Sequence, residues 1–174
     1  MMKQEIIAQL TVKHKNFADL VSSLNDVDFV FSADSKWSVG QQLDHIILSV
    51  TPLVKALWAP RFVLTVLFGK ANRPSRNYDS LVQKYLSKLD AGGKAPKPFI
   101  PPPVEASQKK KLQEKILRLV TTLCKRVDGF SDQQLDEYIL PHPLLGKVTI
   151  REMLYFTIYH VEHHQKMVLK NLGR

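Results

Sequence analysis

Apolar residues recur along this sequence at steps of three and four, a spacing that fits one face of an α-helix and no β-strand. Ile6, Ile7, Leu10, Phe17, Leu20, Val21 and Leu24 form the first stripe. A second runs through Leu43, Ile46, Ile47, Val50, Val54 and Leu57, with Pro52 as a place for a kink. The third passes through Leu112, Ile116, Leu119, Val120, Leu123 and Val127, in a helix that starts near Glu105 and stops at Gly129. A shorter helix is predicted over Tyr78 to Leu89.

Capping residues sharpen these limits. Ser38 with Gln41, Ser131 with Gln134 and Thr149 with Glu152 each match a capping box, in which two side chains satisfy each other's free backbone N–H. Phe130 with Leu135, and Val148 with Met153, stand where a hydrophobic staple would brace the last two of these starts. Trp37 reads as a packing residue before the first. Residues 147–150 alone look strand-like, and they are too few for a sheet. Ala56 to Phe68 is the most apolar run, but it contains Pro60 and Arg61 and is too short to span a bilayer. It is expected to be a buried helix or helix–turn.

Between Ala91 and Pro103 lie five prolines and two glycines. Proline lacks an N–H and clashes with the preceding turn, so this stretch is expected to be a long surface crossover. The sum is an all-α chain. We expect a four-helix bundle with a long Pro-rich crossover and short extra helices, forming one domain over residues 1–174.

One cysteine, Cys124, rules out an intrachain disulfide and a four-cysteine metal site, and it is expected to be a core thiol. The first ten residues carry no continuous apolar stretch of the signal-peptide kind, so a cytoplasmic setting is the default expectation. The net charge is +9, and residues 50–126 hold sixteen Lys/Arg against four Asp/Glu. That skew would suit an anionic partner. The lysines are spaced as on a solvated helix face, however, without the aromatic interleaving that stacks bases. The expected partner is therefore a small-molecule substrate, with no nucleic acid and no membrane, and a homodimer as the commonest assembly.

Chemistry concentrates in the histidines. His160 and His164 are four apart on the last helix, so their imidazoles share a side. They belong to a stripe of Met153, Phe156, His160, His164 and Met167 that is apolar at both ends, and so faces inward. Burying unpaired ring nitrogens costs roughly 1–3 kcal/mol each. A divalent ion removes that penalty, as would buried acids or carbonyls. His45, on the inward stripe of the second long helix, is the best third ligand. His14 is a rival, but its neighbours Lys13, Lys15 and Asn16 suggest a wet surface. His163 is turned about 60° from His160, towards the flank. His142 sits between Pro141 and Pro143 at a pocket mouth. Gln41, His142, Phe156 and His163 are the candidate substrate-pocket residues. Asp44 and Glu162 are turned about 100° and 200° away from the neighbouring histidines and read as solvated acids.

Three stretches resemble the DinB-like superfamily of metal-binding four-helix bundles. They are WSVGQQLDHIILS (37–49), HPLLGKVTIREMLYF (142–156) and HVEHHQKM (160–167). The resemblance implies His45, His160 and His164 as metal ligands, the set that helical geometry also favours. Among such proteins are thiol S-transferases that use bacillithiol or mycothiol, and others described as metal-dependent hydrolases. Where many members continue the last histidine with Arg-Gly-Gln, this chain has Gln165-Lys166-Met167, so no arginine role carries over.

A three-histidine ion with an open position would act as a Lewis acid, lowering the pKa of bound water to roughly 7 or holding a thiolate. The expected activity is thus metal-dependent, either thiol transfer with a low-molecular-weight thiol or hydrolysis, with zinc or nickel as leading metals. Two other classes stand beside it: a non-catalytic metal-binding or stress-response module, and an anion-binding protein acting through residues 50–126.

Overall fold

Four long helices carry the core in the computed structural model, which describes residues 1–32 and 36–174. They are α1 (Lys3–Ser23), α3 (Val39–Ala56), α6 (Lys109–Asp128) and α8 (Ile150–Asn171). Both α6 and α8 pack against α1 and α3, so the order around the bundle is α1–α6–α3–α8. Short helices fill the connections: α2 (Asp26–Val30), α4 (Arg61–Phe68), α5 (Tyr78–Asp90) and α7 (Asp132–Glu137). The all-helical bundle class expected from the spacing is what the chain adopts.

All three capping boxes form, at Ser38, Ser131 and Thr149. Asn25 and Asn77 cap α2 and α5, accepting from the N–H groups of Asp28 and Ser80. The start of α3 is also fixed by close packing. A Cβ on Gly40 would lie 2.8 Å from the ring of Phe29, so only glycine lets α2 rest there.

Several expectations are corrected. Residues 147–150 do build a small sheet, because Ile139–His142 (β1) pairs antiparallel with Gly146–Thr149 (β2). Gly146 has φ +75, the left-handed conformation this tight hairpin needs at its turn. The apolar run ending at Phe68 is a helix–turn in which Leu57 and Leu64 are buried, but α4 bends 110° away from α3 and leaves Phe62, Val66 and Leu67 64–79% exposed. The third long helix begins with a 3-10 turn at Ala106–Gln108, and its terminal Gly129 has φ −73, so no left-handed cap ends it. At Pro52 the helix continues to Ala56. Cys124 is half-buried at the α1–α6 seam, its Sγ 3.6 Å from Thr11 Oγ1.

His14 is corrected most sharply. It is 1% exposed, because Leu10, His14, Phe17 and Val21 share the inward face of α1 whatever the polarity of their sequence neighbours. Its Nδ1 donates to the Leu10 carbonyl at 2.8 Å, while Nε2 has no partner among the described residues.

Helix α8 is the central element, buried at every position from Ile150 to Ile158. Glu152, wholly buried, accepts from Nη1 and Nη2 of Arg73 (2.7 and 2.8 Å), from Arg76 Nη1 and N–H, and from the Thr149 N–H. Among the described residues, no single helix is long and apolar enough to cross a membrane.

Candidate metal centre

Helix α8 turns two imidazoles into the bundle one helical turn apart, and α3 brings a third from across it. His45 Nε2 lies 3.2 Å from His160 Nε2, and His164 Nε2 lies 3.0 Å from the same atom. All three residues are 5% exposed. A tetrahedral ion with Zn–N bonds of the usual length would hold its ligand nitrogens about 3.3 Å apart, close to these separations.

The three imidazoles hold too few protons to satisfy one another. His45 Nδ1 donates to the Phe99 carbonyl at 2.6 Å, and His164 Nδ1 donates to the Gln42 side-chain oxygen. A neutral imidazole carries one N–H, so Nε2 of both rings is a bare lone pair. His160 Nε2 can offer at most one proton to two such acceptors. Extra protons are disfavoured: burial, then the neighbouring histidines, push His160 and His164 well below the ordinary histidine value. His45 is lowered too, chiefly by burial. One cation at the point of convergence would satisfy the set, and the donors are imidazoles that suit zinc, nickel, copper or iron.

Aromatic rings wall the cluster. Trp37 lies 4.8 Å from His45 between ring centres, and Phe156 stacks on His160 at 4.6 Å. A cavity of about 920 Å³ opens onto the three histidines. Phe156, His142 and His163, expected in a pocket, all line it. His163 is half-buried, its ring 5.4 Å from that of His164, and it does not join the group of three. His14 lies elsewhere in the core and outside the group.

Gln41 is corrected. Its side chain is spent on the Ser38 N–H and reaches towards Pro101, whereas Gln42 lines the cavity and holds His164. The capping box already assigned the Gln41 side chain its partner, and that signal could have removed it from the pocket. No sequence signal could have found Phe99, which acts through a backbone carbonyl. Asp44 and Glu162 do not line the cavity, and Glu162 pairs with Lys13 at 2.8 Å.

Comparison with known proteins agrees with this architecture. A model of the DinB superfamily matches residues 9–168. Among solved structures, the chain is similar to YfiT from Bacillus subtilis, described as a probable metal-dependent hydrolase with an unusual four-helix bundle topology. That likeness has a TM-score of 0.62 at 19% identity, over 98% of this chain and 87% of the other. No curated protein matches the sequence.

Proposed function

Because the chain belongs to the DinB superfamily, we propose that it is a hydrolase dependent on one divalent ion held by Nε2 of His45, His160 and His164. The observation that carries this reading is the proton deficit: two bare lone pairs face a third nitrogen that can satisfy only one of them. The description of YfiT as a probable metal-dependent hydrolase supports the reaction class.

When bound, such an ion supplies a Lewis acid and an activated water. The chain's own residues do the rest. Phe99 and Gln42 keep the protons of His45 and His164 on Nδ1, which leaves Nε2 free to coordinate. Trp37 and Phe156 cover the rings and limit bulk water. With no carboxylate among the described residues of the cavity wall, His163 is the proton acceptor; burial, then Lys166, lower its pKa and keep its imidazole neutral.

The test is a panel of esters and amides assayed with zinc- or nickel-loaded, chelator-treated and His160→Ala protein. Turnover should require metal and vanish in His160→Ala, while helical circular dichroism persists. Equal hydrolysis after chelation would overturn the proposal. Metal-dependent consumption of a small thiol without ester or amide cleavage would overturn it in favour of thiol transfer.

A further inference from the structure

The cavity that opens onto the histidine cluster is far larger than an ion and its water require. At about 920 Å³ it is near the upper end of small-molecule sites. Leu53, Leu89, Phe99, Leu140 and Met153 are among its walls, and among the described residues no Asp or Glu lines it. The charged residues among them are Lys36 and Lys94, both exposed. A cationic ligand would find no counter-charge among these described residues, and a carboxylate would lose its hydration against apolar walls.

One polar group stands out among these walls. His142 Nδ1 accepts hydrogen bonds from the N–H groups of Leu144 and Leu145, both at 3.1 Å. A nitrogen that accepts two N–H groups carries no proton, so the neutral ring holds its hydrogen on Nε2. Burial keeps the ring neutral, lowering its pKa to about 4. Among the described residues, none accepts from Nε2–H. The Phe156 ring, 4.2 Å from His142 and 4.6 Å from His160 between centres, separates this donor from the cluster by one aromatic breadth.

Resting on the hydrolase reading, we propose that the cavity takes an uncharged acyl compound with a bulky apolar group, one oxygen of which accepts a hydrogen bond from His142 Nε2–H. The hairpin turn fixes the donor in place, and the apolar walls hold the body of the ligand.

Methyl ketones test this without turnover, since they are not hydrolysed. The full chain carrying Trp58→Phe, which leaves Trp37 on the cavity wall as its tryptophan, is freed of metal by chelator so that no ion can ligate a carboxylate, and is titrated with 2-butanone through 2-decanone by fluorescence. Affinity should rise about twofold to fourfold per methylene. Decanoate and decyltrimethylammonium should bind at least about tenfold more weakly than 2-decanone, given the burial cost of a charge. His142→Asn retains an acceptor for the two backbone N–H groups but loses the Nε2 donor. It should weaken 2-decanone about threefold to tenfold with an unchanged melting temperature. Ala56→Phe, which fills the cavity without adding a tryptophan, should abolish binding.

A flat ketone series, or tighter binding of either charged probe, overturns the ligand class. Unaltered affinity in folded His142→Asn overturns the role of His142, and if that variant fails to fold, the series on the unsubstituted cavity still decides the class. Metal-dependent ester cleavage with a flat ketone series would leave the hydrolase reading standing alone. A steep series without turnover would do the reverse.

Discussion

The side-chain oxygen of Gln42 accepts a hydrogen bond from Nδ1 of His164, and neither group meets bulk water. Gln42 is wholly buried on α3 and His164 lies on α8, so this bond ties the two helices at the point where their imidazoles converge. Through it, a residue that touches no ion decides which nitrogen of His164 offers a lone pair.

Gln42→Leu should therefore lower metal affinity about 10–100-fold while the helical fold survives. Competition with a chromogenic chelator measures it. Affinity equal to that of the unaltered protein would show that the amide merely fills the core.

His45 should hold the crossover as well as an ion. Its Nδ1 bond to the Phe99 carbonyl is a contact of α3 with the proline-rich segment, and Lys94 lies five residues before that carbonyl. In His45→Ala, trypsin cleavage after Lys94 is expected to quicken about threefold or more, the equivalent of one lost hydrogen bond. Cleavage at other sites should not change, and mass spectrometry of the first fragments reads the difference.

Glu152 is the buried charge on which the start of α8 depends. Burial alone would raise its carboxyl, but the Arg73 hydrogen bonds and the Arg76 and Thr149 N–H groups outweigh that and hold it below its usual value. Replacing it with alanine strands Arg73 and removes the capping box, at a cost of about 3 kcal/mol or more. For a chain of this size that is about 6–12 °C in melting temperature. A depressed carboxyl contributes stability that is present above the usual carboxylate range and lost as pH falls through it. Glu152→Gln should thus remove part of the acid-induced drop below about pH 4, as seen in a pH series of thermal melts.

His14 makes the opposite kind of contribution. Burial lowers its pKa to about 4, although its bond to the Leu10 carbonyl pulls the other way. The unfolded chain then takes up the proton first, so stability is complete above about pH 6.5 and is lost as pH falls towards 4. His14→Leu should stabilise metal-free protein at pH 5 by about 1–3 kcal/mol, since it also removes the unpartnered Nε2. Denaturant melts at pH 5 and pH 7.5 would show the gain concentrated at the lower pH. A gain equal at both would refute the titration argument.

What this sequence determined by itself is what lies within about four residues of its cause. Helical spacing, the capping boxes at Ser38, Ser131 and Thr149, and the shared face of His160 and His164 are settled by neighbours along the chain. Tertiary structure decided the rest, because it depends on groups far apart in sequence. Polar neighbours made His14 look wet, yet packing of α1 against α6 and α8 buries it. Gln42 rather than Gln41 meets His164, 122 positions away, and Phe99 meets His45 through an atom that every residue has. The exposure of Phe62, Val66 and Leu67 follows from the direction in which α4 leaves α3, and β1 became a strand only because β2 lay beside it. A periodic pattern states which residues share a face; only the assembled bundle states what that face meets.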